Sequence, residues 1–260
     1  VEGTIFSNAR LQRVAHRGGA RLAPENTLAA FRNALTMPID VIELDVQMSH
    51  DHHLIVFHDA TVEHLTDGQG NILDLDFAYL RSLNAAAHFP GGWPTCEQIP
   101  TLREALALAK GRIKVYIEIK RSKKEGVYGR YPNIAEAVVR EVRALKMLQE
   151  VLIISFDWDM LLLIRALEPA LQTGVLVSSE IWDMHAENAL AMLVKRARVL
   201  GVSWINMDYH LFTPMMRDEL YRQGLKLGLW TINTTEEMQS LIRVGIDSLT
   251  TDRPDLFADL

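Results

Sequence analysis

Apolar runs of strand length alternate with amphipathic runs of helical length from one end of this chain to the other, and that alternation limits the fold more than any other feature. Strands are expected over residues 13–16, 41–47, 115–120, 151–156, 172–177, 202–208, 226–232 and 247–251. Helices are expected over 25–37, 101–110, 133–146, 157–167, 187–198, 214–222 and 234–244, with a short one after Pro254. Pro169 stops one helix, and Pro214 suits the first turn of another. A helix between each strand and the next dictates a parallel sheet with right-handed crossovers. Eight such units in 260 residues favour a closed (β/α)₈ barrel over an open doubly wound sheet. The turn after the first strand reads His16-Arg17-Gly18-Gly19-Ala20-Arg21 and lacks the Gly-x-Gly-x-x-Gly of a dinucleotide fold.

One stretch breaks the pattern. Residues 48–100 carry short alternating runs and turn dipeptides such as Asp67-Gly68 and Gly70-Asn71, and Phe89-Pro90-Gly91-Gly92-Trp93-Pro94 is unsuited to a helix. The expected organisation is therefore a single barrel over residues 1–260, with 48–100 inserted after strand two. In a barrel that insertion lies over the C-terminal face, where active sites form.

Composition narrows the function. A net charge of −6 disfavours a nucleic-acid partner. No apolar run reaches the length of a membrane span; the richest, 160–167, contains Arg165 and is followed by Glu168-Pro169. Cys96 is the single cysteine, so no intrachain disulfide forms, which fits a cytoplasmic location. The chain begins at Val1 rather than Met, which leaves a removed leader open. A homo-oligomer also stays open.

The candidate site residues come from strand alternation. In Val41-Ile42-Glu43-Leu44-Asp45-Val46-Gln47 the apolar side chains share one face and Glu43, Asp45 and Gln47 the other. The apolar face suits the outer helices, so the acids project into the barrel mouth. Tyr116-Ile117-Glu118-Ile119-Lys120 repeats the pattern and sends Glu118 and Lys120 inward. Three convergent carboxylates suit a hard divalent cation, Mg²⁺ or Ca²⁺; the alternative is a buried acid network paired with Lys120 and Arg17. His16 ends strand one and His58 follows the apolar run 54–57, so both can flank one site and share acid and base duties near neutral pH. Arg17 offers a guanidinium matched to a phosphate. Trp230, at the end of strand seven, is read as a pocket wall or as core. Other features read as structural. His50, His52 and His53 suit a solvated turn, Asp67 to Asn71 a hairpin turn, Asn26 helix capping, and the basic stretch Arg121-Ser122-Lys123-Lys124 a solvated loop on the same face that is also placed to grip an anion.

These residues resemble the glycerophosphodiester phosphodiesterase family. The resemblance runs through Ala15-His16-Arg17-Gly18-Gly19, Pro24-Glu25-Asn26-Thr27, Ile42-Glu43-Leu44-Asp45-Val46, Val56-Phe57-His58-Asp59, Leu65-Thr66-Asp67-Gly68-Gln69-Gly70, Ile99-Pro100-Thr101-Leu102, Ile117-Glu118-Ile119-Lys120, Trp230-Thr231-Ile232-Asn233 and Thr251-Asp252. Each piece is short, but the ordered set covers nearly the whole chain. It implies a TIM (β/α)₈ barrel with a small insertion after strand two. It also implies His16 and His58 as the catalytic pair, Arg17 and Lys120 on the phosphate, and Glu43, Asp45 and Glu118 around one Mg²⁺ or Ca²⁺. The implied substrates are glycerophosphodiesters such as glycerophosphocholine and glycerophosphoethanolamine, cleaved to glycerol 3-phosphate and an alcohol through a cyclic phosphate. Two departures lie in the insertion: Asp51-His52-His53 replaces an Asp-Gly turn, and His64 stands where an Arg is frequent. Rival readings are a lyase that stops at the cyclic phosphate and a phosphodiester-binding protein without activity.

Overall fold

A computed structural model describes residues 11–124 and 126–260. Among them β1 (Gln12–Ala15) leads through a 3₁₀ turn, His16–Gly18, to α1 (Leu28–Ala34) and β2 (Val41–Met48). The next elements are β3 (Leu54–Val56), α2 (Phe77–Ser82), α3 (Leu102–Ala109) and β4 (Lys114–Ile119). A hairpin of β5 (Ser122–Lys124) and β6 (Val127–Gly129) precedes α4 (Ile134–Ala144). The alternation then runs through β7 (Val151–Ser155), α5 (Trp158–Leu167), β8 (Gln172–Val177), α6 (Ala189–Leu200) and β9 (Trp204–Asp208). It closes with α7 (Pro214–Arg222), β10 (Lys226–Trp230), α8 (Thr235–Val244), β11 (Ser248–Thr251) and a 3₁₀ segment, Pro254–Asp259.

Eight parallel strands form a closed barrel in the order β1, β2, β4, β7, β8, β9, β10, β11. Closure is made at β1, whose Val14 pairs with Val41 of β2 and whose Gln12 pairs with Ser248 of β11. Alternation explains the layers. Ile42, Leu44, Val46, Ile117 and Ile119 point outward into a core shared with the helices. Val14, Val41, Tyr116, Leu152, Ile154, Leu176 and Trp204 fill the barrel interior. Three helices, α1, α5 and α8, start where short polar side chains accept from the exposed N–H groups of their first turns: Thr27 from Ala30, Asp157 from Met160 and Thr234 from Glu237. Thr101 and Glu104 make a reciprocal capping box at the head of α3.

Between β2 and α3, β3 runs antiparallel to β2 (Val46 opposite Val56), and a small separate core gathers Ile55, Phe57, Val62, Ile72, Leu80 and Ile99. The segment around Asp67 is a loop pinned by one antiparallel bridge, Thr61 to Asn71, rather than a hairpin of strands. The histidine-rich turn is exposed, with His50 on Asp76 (2.9 Å) and His53 stacked on Phe77. Most expected boundaries shift by one to three residues, and two differences bear on the site. The first strand stops at Ala15, so His16 opens the turn that follows it. The basic stretch after β4 is not a bare loop but the β5–β6 hairpin.

Candidate active site

The C-terminal ends of the barrel strands bring the expected residues together. His16 and Arg17 leave β1 in a tight turn whose backbone is left-handed at Arg17 (φ 52°), Gly18 (φ 81°) and Gly19 (φ 92°). A Cβ on Gly18 would lie 2.8 Å from the Phe31 ring, so that position needs glycine both for its conformation and for its contact with α1. The turn aims the Arg17 backbone N–H at Glu43 Oε2 (3.0 Å) and its guanidinium at Glu25 (2.8 Å) and Asp45 (3.2 Å).

Glu43, Asp45 and Glu118 are buried, and oxygens from all three lie within 4.8 Å of one another. Asp45 sits opposite Glu118 in the β2–β4 register, which places their side chains next to each other on one face. Lys120 Nζ lies 2.8 Å from Glu118 and 3.5 Å from Asp45. Burial, together with Asp45 and Glu118, raises Glu43 well above the ordinary carboxylate range. Burial works the same way on Asp45, but Lys120 and Arg17, helped by His58 and His16, hold it below that range. The acids in turn raise Arg17 and Lys120 against the effect of burial, so both stay charged. Asp45 Oδ1 is buried and has no hydrogen-bond partner among the described residues. Three buried carboxylates, with Asp45 Oδ1 facing Lys120 at 3.5 Å, match the donor set of a hard divalent cation, and the cluster could hold one.

His16 and His58 line the same cavity, of about 220 Å³, with Arg17, Glu43, Glu118, Lys120 and Trp230. Each His is held by a carboxylate on Nδ1: His16 by Asp252 Oδ1 (2.6 Å) and His58 by Asp59 Oδ1 (2.6 Å). A carboxylate only accepts, so Nδ1 carries the proton in both rings and Nε2 is left to exchange a proton. His16 Nε2 lies 3.9 Å from Glu43. The hydrogen bond from His58, reinforced by His64 Nδ1 at 3.0 Å, holds the Asp59 carboxyl down at about 2. Burial works against the charge on Asp252, but the hydrogen bond from His16 holds its carboxyl below the ordinary range, and Asn233 Nδ2 donates to its other oxygen (2.9 Å).

Trp230 packs edge-on against Phe156, and both line the cavity. The structure thus joins all eight expected residues, His16, Arg17, Glu43, Asp45, His58, Glu118, Lys120 and Trp230, in one site.

Several residues that contact the acids and histidines have no site role in the sequence reading, although alternation does put Gln47 on the acid face. Asn26 reads in the sequence as a helix cap; Thr27 does that, and Asn26, left-handed at φ 57°, donates from Nδ2 to Asp45 Oδ2 (2.8 Å) while its Oδ1 accepts from the Asp45 N–H. Gln47 donates from Nε2 to the carbonyls of Phe57 and Asp59 (both 2.8 Å), and its Oε1 accepts from Tyr131. That amide fixes the loop carrying His58 to the strand carrying the acids. Asp59 directly follows its partner His58, whereas Asp252 meets His16 only because β1 and β11 are neighbours in the closed barrel.

Comparison with known proteins shows the family and the fold. The model of the glycerophosphoryl diester phosphodiesterase family matches residues 16–256. A glycerophosphodiester phosphodiesterase of Caldanaerobacter subterraneus is 34% identical over 95% of this chain and 96% of its own. The crystal structure of a glycerophosphodiester phosphodiesterase from Agrobacterium tumefaciens superposes with a TM-score of 0.80 at 27% identity, covering 96% of this chain and 100% of that one. An Oleispira antarctica phosphodiesterase in complex with the product sn-glycerol-3-phosphate does so with a TM-score of 0.78 at 25% identity over 95% of each chain.

Proposed function

The chain belongs to the glycerophosphoryl diester phosphodiesterase family and has phosphodiesterase activity on glycerophosphodiesters, and we propose that it does so with one Mg²⁺ or Ca²⁺ held by Glu43, Asp45 and Glu118. Its substrates are deacylated phospholipids such as glycerophosphocholine and glycerophosphoethanolamine, and the products are glycerol 3-phosphate and the alcohol. The observation that carries this reading is the pair of histidines on one cavity, each with Nδ1 committed to a carboxylate, beside a buried acid cluster and two half-buried cations.

When bound, the cation supplies Lewis-acid polarisation of the phosphoryl oxygens. The chain's own residues do the rest. Arg17 and Lys120 stay charged and balance negative charge on the phosphate as it shifts in the transition state. One histidine Nε2 takes the proton of the glycerol 2-hydroxyl, whose oxygen attacks phosphorus. The other protonates the departing alcohol oxygen. The cyclic phosphate so formed is opened by water, with the histidines exchanging roles. Asp59 and Asp252 keep each ring's tautomer and direction through both steps, as an orienting carboxylate does elsewhere.

The test is release of glycerol 3-phosphate from glycerophosphocholine and glycerophosphoethanolamine, before chelation, after it, and after adding back Mg²⁺ or Ca²⁺. Release should vanish with chelator and return with one ion. In the Glu43→Ala variant the dependence on added ion should weaken or shift to higher concentration. Release that ignores chelation would remove the cation from the reading. A cyclic ester accumulating in phosphorus NMR would replace hydrolysis by the lyase reaction.

A further inference from the structure

Two cavities meet at the site. The inner one, about 220 Å³, lies in the barrel mouth against Leu176, Asn206 and Trp230. The outer one, about 970 Å³, opens between the segment after β3, the β5–β6 hairpin and the loop after β8. His58, Glu118, Lys120 and Phe156 belong to both, so the phosphate, which needs Lys120 and a histidine, sits where they join. The inner cavity has room for glycerol, the constant half of the substrate. The outer one is more than four times larger and suits the variable half.

The charge on the outer wall is uneven. Asp59 is engaged by His58 and His64, and Glu118 by Lys120. Arg121 and Lys123 have no carboxylate within ion-pair distance among the described residues. Both are exposed and rest on the Tyr128 ring, at 5.0 and 5.3 Å from its centroid. Glu180 also lines this wall, and Asp157 lies near enough to Arg121 to feel its charge. A quaternary ammonium head group is recognised by open aromatic faces. Here the hairpin's one aromatic ring already carries two cations, so it repels a cationic alcohol and leaves two donors turned to an acidic one.

We propose, resting on the phosphodiesterase reading above, that the outer cavity is the leaving-group subsite and that Arg121 and Lys123 make it selective for alcohols bearing a carboxylate or phosphate over those bearing only an ammonium group. Tyr128 holds the two cations at the rim. Asn71, whose Nδ2 donates to the Lys123 carbonyl (2.8 Å), fixes the hairpin to the opposite wall.

Glycerophosphoserine and glycerophosphoethanolamine differ by a single carboxylate on the leaving alcohol, and they make the test. kcat/KM should favour the serine diester by about fivefold at low salt, the scale of one exposed ion pair. That ratio should fall towards one in the Arg121→Gln/Lys123→Gln double variant and with rising ionic strength in the parent. A parent ratio at or below one, or a ratio that the double variant leaves unchanged, overturns the selectivity while leaving the phosphodiesterase reading intact. No turnover of either diester by the folded parent with either cation added would instead sink both.

Discussion

Asn26 shows how much of this site depends on single side chains that bear no charge. Its amide satisfies one Asp45 oxygen and accepts from the Asp45 backbone, while the other oxygen faces Lys120 Nζ at 3.5 Å. His16 and His58 are directed in the same indirect way, by Asp252 and Asp59. At this scale the expectation is that His16→Ala and His58→Ala each lower kcat by about 10²–10⁴-fold, the usual range for a positioned acid or base. Circular dichroism and thermal unfolding should stay close to the parent. Near-parental turnover in either variant would exclude that residue from proton transfer. Strand alternation alone brings Glu43, Asp45, Glu118 and Lys120 to one face, because the isoleucines and leucines between them must pack outward on the helices and buried charges need one another as partners. It gives no hint of Asn26, and it puts Gln47 on the acid face without saying what its amide binds. An amide looks the same in sequence whether it caps a helix, meets solvent or supports an acid. The pairing of His16 with Asp252 spans almost the entire chain and exists only because β1 and β11 are neighbours in the closed barrel.

The elements themselves are largely readable because their signals are local. Thr, Asp and Pro mark helix starts, and strand runs alternate or stay apolar; the helix 214–222 and the strand 172–177 match the sequence expectation residue for residue. The β5–β6 hairpin escapes such a reading because it lacks an apolar face: five of its six strand residues are exposed, so no hydrophobic period marks it. The capping box of α3 ties two elements together. Arg81 of α2 makes a bidentate pair with Glu104 (2.8 and 2.6 Å), which also accepts from the Thr101 backbone and hydroxyl. Thr101→Ala should cost about 1 kcal/mol in urea unfolding, as cap removal does elsewhere. Glu104 also predicts a pH dependence. Burial works against its charge, yet the hydrogen bonds from Arg81 and Thr101 hold its carboxyl below the ordinary 4.5. A lowered folded value means the unfolded chain takes up the proton first as the pH falls. The contribution is therefore complete above pH 4.5 and drains away below it. The stability gap between parent and Glu104→Gln should be widest near neutrality and shrink as acid is added. A gap that widened in acid would contradict this assignment.

For the whole molecule, eight strands close without an edge, and the interior must be filled from inside. Gly174 and Gly228 are part of that filling: a Cβ on Gly228 would lie 2.4 Å from both Asn206 Oδ1 and Ser248 Oγ, and one on Gly174 would lie 2.7 Å from Trp204 Cβ. Neither glycine needs a left-handed backbone; each makes room for the larger side chain beside it. Gly228→Ala should therefore overpack the barrel by about 1–3 kcal/mol, read as a lower Tm. An unchanged Tm would mean the interior relaxes more freely than its packing implies. Above this filled barrel the two loop systems are attached differently. Gln47 bonds the His58 loop to the strand that bears Glu43 and Asp45 through two buried or half-buried carbonyls. The β5–β6 hairpin is linked to the segment after β3 through exposed contacts, Asn71 to the Lys123 carbonyl and Lys124 to Asp74. Inheritance can act on these two attachments separately. A lineage that trades the His58 loop must rebuild β2 along with it, whereas one that trades the hairpin changes which diester it takes and keeps the chemistry it performs.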